Sequence, residues 1–290
     1  MAKKNAKTKK KKTSILIVAK QNKAGLKHAK KLEKLLRRYT DDIHVDKSTA
    51  FRFKRLGTAV SKFRGDLIIT VGGDGTFLLT SQRANVPILP VKIEGKGFLC
   101  TCNFDELEKN VKRIFTGNFA VIERMRLRCT KMPSGKIEKY VEKLHRKEYH
   151  NCINEIAFAR KRPSKLLNIQ LKIDDVTFDM IGDGMMFSTP SGSTAYSASA
   201  GGSIIDPKIS AIHIIPLYPF YSKVKPMIIP SDKKIEVEIK GGDTALVVDG
   251  HSGEYFSRES KFVVEKAKPI RVITFDEKNF YDKVRKQLFE

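Results

Sequence analysis

Around Gly117 the hydrophobic pattern of this 290-residue chain changes period, and that change limits the possible folds more than any single motif does. Before it, strand-length apolar runs alternate with stretches of 3.6-residue periodicity. Residues 14–19 (SILIVA) read as a buried strand, after which Leu26, Ala29, Leu32, Leu35 and Leu36 line one face of a helix over about residues 23–38. Residues 43–46 make a short strand and residues 51–63 a weaker helix carrying Gly57. Strands over 66–71 and 86–93 and a helix over 104–115 follow, and Asn103 stands three residues before Glu106, the spacing of a capping box. Strands alternating with helices imply a mostly parallel sheet covered on both faces, with ligands gathering at the C-terminal ends of its strands.

Beyond Gly117 the period is two. Over residues 121–131, Met125, Leu127 and Cys129 share one face and Arg124, Arg126 and Arg128 the other, as in a half-buried antiparallel strand. Short strands are predicted at 152–159, 166–173, 176–181, 185–188, 235–239, 245–248, 262–264 and 270–275. Residues 204–229, with prolines at 207, 216, 219 and 226, read as loops between short pieces, and residues 279–289 as a helix with Phe280, Val284 and Leu288 on one face. The expected architecture is an α/β N-terminal domain with a mostly parallel sheet, followed by an all-β C-terminal domain.

Composition bounds the function. An apolar content of 41% is enough for a real core, and no apolar run approaches the ~18 residues of a membrane span. No signal-peptide pattern is expected at the charged start of the chain, which is followed by only a strand-length apolar run. Cys100, Cys102, Cys129 and Cys152 are expected to be reduced and mostly buried in a cytoplasmic protein. Cys100-x-Cys102 and His150-x-Cys152 lack the usual spacer of a zinc site. The formal charge is +24, and seven of the lysines fall within residues 1–12, which have no apolar partner for any secondary structure and are expected to be disordered. Such a tail attracts nucleic acid non-specifically at low salt. The rest of the chain shows no zinc finger, RNA-recognition motif or DNA-reading helix. A basic surface equally favours small polyanionic ligands by raising their local concentration.

Three stretches carry chemistry. In residues 66–77, DLIITVGGDGTF, a buried strand stops at Gly72, Gly73, Asp74, Gly75 and Thr76, and Phe77, Leu78 and Leu79 begin a helix. Glycines let backbone N–H groups approach a ligand, and a helix N-terminus favours phosphate. Asp74 repels phosphate, so its task there is a substrate hydroxyl or a magnesium ion. The stretch is equally compatible with a tight strand-to-helix turn carrying an incidental Asp. Asn154 and Glu155 interrupt the otherwise apolar CINEIAFA and need partners if buried, either in a structural kink or with a ligand. Residues 182–202, GDGMMFSTPSGSTAYSASAGG, put hydroxyls and free N–H groups at the start of a small-residue helix, which suits a ribose or phosphate.

Taken together and in this order, Gly72-Gly73-Asp74-Gly75-Thr76, Asn154-Glu155, Gly182-Asp183-Gly184 and Thr189-Pro190-Ser191-Gly192-Ser193-Thr194-Ala195-Tyr196 closely resemble the NAD kinase family. Gly97-Phe98-Leu99, Val248-Asp249-Gly250 and the C-terminal helix extend the resemblance over nearly the whole chain from Thr13. GGDGT alone also resembles the loop of diacylglycerol and sphingosine kinases and of phosphofructokinases, whereas TPSGSTAY is specific. The resemblance implies phosphorylation of the adenosine ribose 2′-hydroxyl of NAD, with ATP or polyphosphate and Mg2+ or another divalent cation, to give NADP.

By the family pattern Asp74 is the catalytic residue, accepting the hydroxyl proton. Gly73, Gly75 and Thr76 hold the phosphoryl donor, Asn154 and Glu155 the ribose and pyrophosphate region, and Asp183, Thr194, Ala195, Tyr196 and Ser197 the adenine and nicotinamide ends. Phe98 contacts the adenine side, Asp249 belongs to the nucleotide-binding set, and no residue is assigned as a metal ligand. A carboxylate is too weak a base to strip a sugar hydroxyl in advance, but in a loose phosphoryl-transfer transition state the proton leaves late.

The resemblance also implies an α/β phosphoryl-donor domain over residues 13–117 with 276–290 and a β-rich dinucleotide-binding domain over 118–275. Its final helix returns to the first domain, and the assembly is a homodimer or homotetramer with no membrane association. Over residues 87–99, PILPVKIEGKGFL, the chain departs from the family, which usually has glycine for Pro90, often asparagine for Lys92, glycine for Glu94 and an apolar residue for Lys96. That departure leaves NADH or another acceptor open. The remaining alternatives are a GGDGT-type kinase of a lipid, polyol or other nucleotide, and a basic nucleic-acid-binding protein.

Overall fold

A computed structural model of the chain describes residues 13–95, 97–133, 149–221, 224–256, 259–276 and 279–290. The lysine-rich start of the chain and Lys96 lie outside the described residues. The chain divides into two units: one runs to Glu123 and takes in Ile270–Glu290, and the other is Arg124–Pro269.

In the first unit, β1 (Ile15–Ala19) lies between β2 (Ile43–Val45) and β3 (Leu67–Gly72), and β3 borders β4 (Ile88–Lys92), all in parallel register. The end of β16 (Ser260–Thr274) adds to the far side of β4, also parallel, through Val272 against Ile88. Every residue of β1 and β3 is buried, as a sheet with both faces covered requires. α1 (Lys23–Leu36) begins where the Asn22 side chain accepts the Gly25 N–H at 2.8 Å. α4 (Phe104–Thr116) carries the predicted capping box, with Asn103 and Glu106 each accepting the other's backbone N–H at 2.8 Å. The apolar faces of the two helices join Ile17, Ile69, Val71, Leu89 and Ile273 in one core, where each fully buried Leu or Ile contributes about 2 kcal/mol.

The weak helix expected over 51–63 is instead α2 (Lys47–Arg52) followed by a short 3-10 turn at Val60–Lys62. The Asp46 carboxylate accepts the N–H groups of Ser48 and Thr49 and so starts the helix earlier than the apolar pattern does. The chain then leaves it at Lys54, where φ is +54°.

The second unit is antiparallel. β8 (Glu155–Arg160), β9 (Leu167–Ile173) and β11 (Ala211–Pro219) all pair with the 13-residue β10 (Val176–Ser188). β13 (Ile235–Gly241) continues the sheet beyond β9 to the start of β16, while β14 (Thr244–Val248) and β15 (His251–Phe256) extend it beyond β8. Phe158, Phe187 and Phe262 are fully buried at its centre, with the Phe158 ring 4.7 Å from that of Phe262.

Three expectations are corrected here. The strand predicted at 152–159 is two, β7 (Tyr149–Cys152) and β8, broken at Ile153 and Asn154. The loop-like 204–229 contains β11, with Pro216 and Pro219 inside it. Its other neighbour, β12 (Met227–Pro230), pairs only with residues 211–214, so both prolines lie where the strand has a neighbour on one side only. The strands predicted at 262–264 and 270–275 are one, β16, continuous through Pro269.

Candidate functional site

In the first unit β3 ends at Gly72, Gly73 follows, and α3 (Asp74–Ser81) begins at once. A methyl on Gly72 would stand 2.2 Å from Thr76 Oγ1, so a side chain there would prevent the turn from closing. At Gly73 and Gly75 a methyl would meet nothing within 4 Å. Bare backbone at the start of a helix, facing open space, is what an approaching phosphate needs. The neighbouring strands hold this turn in place: Lys20 N–H donates to Val71 O and Ile93 N–H to Gly72 O, both at 2.9 Å. Lys92, one of the departures from the family pattern, stands opposite Gly72 in the β3–β4 register.

Asp74 is the first residue of α3, and its carboxylate is already engaged. It accepts the backbone N–H of Phe98 at 2.7 Å, of Leu99 at 3.1 and 3.2 Å on its two oxygens, and of Cys100 at 3.1 Å. The approach is so close that a methyl on Gly97 would lie 2.7 Å from Asp74 Oδ1. Burial, and after it the charge of Asp74, pushes the Cys100 thiol far above the ordinary thiol range, so it is not a nucleophile. The same loop is held from its other side, where Lys283 Nζ donates to Phe98 O at 2.9 Å and to Cys100 O at 3.4 Å, and Gln287 Nε2 to Gly97 O at 3.0 Å. The amide cradle around Asp74 and the part played by Lys283 and Gln287 are absent from the sequence reading. Gly97, placed beside Phe98 and Leu99, was the available signal.

In the second unit the break between β7 and β8 has a cause. The buried Asp249 carboxylate accepts the N–H of Ile153 at 3.1 Å and of Asn154 at 2.7 Å, while Asp249 N–H donates to Glu155 O at 2.9 Å. Asp249 adopts φ +51°, a conformation open to Asp and Asn. Its carboxylate thus braces the Asn154–Glu155 corner. Asn154 and Glu155 are buried there, and among the described residues Asn154 Oδ1 and Glu155 Oε2 have no hydrogen-bond partner. Burial, reinforced by the charge of Asp249, raises the Glu155 carboxyl to about 8.

The hydroxyl-rich stretch packs onto this corner. Thr189 N–H donates to Asn154 O at 2.9 Å, the Thr189 hydroxyl to Ile153 O, and Ser188 Oγ to Asn154 O at 3.3 Å. Gly192 makes that possible, since a methyl on it would stand 2.2 Å from Asn154 O. Ser193 Oγ donates to Pro190 O at 2.7 Å and accepts from Ile205 N–H at 2.9 Å. The expected small-residue helix is a 3-10 turn at Ser191–Thr194 and one helical turn at Tyr196–Ser199. Most hydroxyls that read as ligand groups therefore hold backbone. Ser197 Oγ, fully buried, has no hydrogen-bond partner among the described residues, and Tyr196 is half exposed. Thr194 Oγ1 reaches Ser191 O at 3.4 Å, and Asp183, on β10, pairs with Arg160 at 3.0 Å.

Among the described residues there is no group of three or more metal-ligating side chains, and no helix is long and apolar enough to cross a membrane. The four cysteines are buried thiols.

Residues 2–119 match the family model described as the ATP-NAD kinase N-terminal domain, and residues 153–273 match the ATP-NAD kinase C-terminal domain. The NAD kinase of Clostridium perfringens is 35% identical over 233 residues, 78% of this chain and 80% of that protein. That of Methanoregula boonei is 32% identical over 267 residues, covering 90% and 93%. Among solved structures, yeast NADH kinase complexed with NADH superposes with a TM-score of 0.83 at 22% identity, over 97% of this chain and 88% of that one. An NAD kinase from Archaeoglobus fulgidus in complex with ATP gives 0.70 at 24% identity, over 94% and 99%. These two share the fold, while the two family models together span most of the chain. The chain belongs to the ATP-NAD kinase family.

Proposed function

We propose that this protein transfers a phosphoryl group from ATP to the adenosine ribose 2′-hydroxyl of NAD, giving NADP. The observation that carries this reading beyond family membership is the pair of adjacent, buried polar atoms without partners among the described residues, Asn154 Oδ1 and Glu155 Oε2. Leaving such groups unpaired costs about 1–3 kcal/mol each, so a fold that retains them on a braced corner is built for a hydrogen-bonding group from outside. Vicinal hydroxyls of a ribose supply two. In this reading the β-rich part of the chain, residues 118–275, binds the dinucleotide, with Asp183, Thr194, Ala195, Tyr196 and Ser197 toward its adenine and nicotinamide ends and Asp249 acting through Asn154 and Glu155. The α/β part, residues 13–117 with 276–290, receives the donor phosphates on the open backbone at Gly73 and Gly75 and on Thr76, and Phe98 contacts the adenine side. The protein works as a homodimer or homotetramer, and its buried thiols suit the reducing cytoplasm.

The chemistry asked of Asp74 is limited. The 2′-oxygen attacks the γ-phosphorus, the bond from phosphorus to the ADP oxygen breaks, and the hydroxyl proton passes to the carboxylate as the new bond forms. A carboxylate has about four lone-pair sites, and the N–H groups of Phe98, Leu99 and Cys100 already engage it. They keep the carboxylate aimed for an incoming hydroxyl. A magnesium ion would neutralise charge on the transferring phosphates. With no cluster of ligating side chains among the described residues, the donor set fits an ion carried by those phosphates and water better than one caged by protein.

Full-length protein incubated with Mg2+, ATP and either NAD or NADH, with NADP or NADPH read by a coupled dehydrogenase, tests this. Asp74→Asn is expected to keep NAD binding and lose roughly 10²- to 10⁴-fold in kcat. Near-normal turnover in that variant removes Asp74 from its role. No phosphorylated product from either acceptor, with ATP or polyphosphate as donor, overturns the function.

A further inference from the structure

The loop over residues 97–100 touches Asp74 with its N–H groups and the C-terminal segment with its carbonyls, and the two sets of contacts run through the same peptide groups. Gly97 O and Phe98 N–H belong to one peptide: Gln287 donates to the first at 3.0 Å, and Asp74 accepts from the second at 2.7 Å. Phe98 O and Leu99 N–H belong to the next: the Lys283 ammonium donates to the first at 2.9 Å, and Asp74 accepts from the second at 3.1 Å. In a trans peptide the C=O and N–H point in opposite directions, so a donor on the oxygen polarises the group and strengthens the hydrogen bond made by its N–H. A cation on the carbonyl side and a carboxylate on the amide side reinforce each other most.

Lys283 and Gln287 are four residues apart, which turns both side chains to one side of the C-terminal helical segment (Phe280–Val284 continuing into Arg285–Phe289). Both side chains are half-buried. The loop has no regular secondary structure over these residues, and besides the burial of Leu99 and Cys100 these two sets of contacts hold its conformation.

We infer that Lys283 and Gln287 are positioning residues for the reaction. They hold two consecutive peptide groups in the orientation that aims the Asp74 carboxylate, and Lys283 places a positive charge one peptide away from it. The inference rests on the reading of Asp74 as the residue that receives the hydroxyl proton. Misplacing a reacting group by about 1 Å costs on the order of 10²-fold in rate, so loosening one of two anchors is expected to cost about 10-fold.

The test uses the full chain as Lys283→Met, which keeps the apolar stem and removes the ammonium, Lys283→Arg, which restores donors, and Gln287→Ala as an independent perturbation. Amide hydrogen exchange of residues 97–100 is measured beside kcat and the KM values for ATP and NAD. K283M is expected to exchange at Phe98, Leu99 and Cys100 at least about 10-fold faster and to lose about 10-fold in kcat. KM for ATP should stay within about two-fold and the melting temperature should be unchanged, K283R should recover most of the loss, and Q287A should lie between. Loop amides as protected in K283M and Q287A as in the wild type overturn the clamp, and so does faster exchange with unchanged kcat. A parallel fall in melting temperature and activity that K283R does not rescue assigns Lys283 to stability instead. Should the wild-type chain make no phosphorylated product, the proposed function fails, while the exchange measurement still decides whether the clamp exists.

Discussion

Glu155 is the buried group with the largest consequence for pH, and Glu155→Gln isolates it. The carboxyl is raised from 4.5 to about 8, first by burial and then by the Asp249 charge. The folded chain therefore holds this proton more tightly than the unfolded chain does. The resulting stability is fully present below about pH 4.5 and is lost as pH rises through 8, at up to about 1.4 kcal/mol per pH unit in between. Taken over the whole interval that is roughly 5 kcal/mol as a ceiling, and some 3 kcal/mol once water reaching the corner and relaxation around Asp249 are allowed for. A glutamine is neutral throughout, so the dependence disappears in the variant. Urea unfolding followed by far-UV circular dichroism suits a chain without tryptophan. Run from pH 5 to 9, it should find the two proteins within about 1 kcal/mol at pH 5 and E155Q ahead by about 3 kcal/mol at pH 9. A difference flat with pH to within about 0.5 kcal/mol would show that Glu155 ionises in the folded state as it does in the unfolded one. The buried, unpartnered acceptor would then not be neutral at physiological pH.

Other perturbations separate bracing from binding. Asp249→Asn keeps a residue that tolerates φ +51° but turns an amide NH2 toward the N–H groups of Ile153 and Asn154. A loss of about 2–3 kcal/mol in unfolding free energy and a raised KM for NAD are expected, and unchanged stability would contradict the brace. Gly97→Ala puts a methyl 2.7 Å from Asp74 Oδ1 and should lower kcat about 10-fold or more with little change in melting temperature. Gly75→Ala meets open space inside a helix, so stability should hold or rise by about 0.5–1 kcal/mol. KM for ATP should nonetheless rise about 10-fold, and an unchanged KM would move the donor phosphates away from this turn.

What was legible in the sequence was local. The apolar periodicity of α1, the continuous apolar runs of β1 and β3 and the Asn103–Glu106 box depend on residues within a turn or a strand of each other, and each formed as read. The misses depend on partners far along the chain. The corner at Asn154 exists because Asp249, 95 residues later, takes its N–H group. The cradle of Asp74 comes from residues 24 to 26 positions on, and its anchors from residues some 185 beyond those. Prolines within β11 read as loop because nothing local reveals that β12 stops short of them. The hydroxyls of 188–193 were read by their chemistry alone, and only Gly192, which permits backbone contact with Asn154, hinted that they hold the fold.

The acidic residues of the motifs divide by what their oxygens already do. Asp249 has its carboxylate on two backbone amides and organises the corner; Glu155, next along the same corner, has an oxygen with no partner among the described residues, and so it is the one positioned to meet a ligand. Asp74 resembles Asp249 in its amide cradle, yet it sits at the head of a turn whose glycines face open space. Its three loop amides, Phe98 at 2.7 Å and Leu99 and Cys100 at 3.1 Å, aim the carboxylate that is proposed to receive the proton. The peptide that carries the Leu99 N–H is also the one that Lys283 grips by its carbonyl. The lysine therefore polarises that peptide and strengthens its hold on the Asp74 carboxylate, so the aim of the proton acceptor depends on the C-terminal segment.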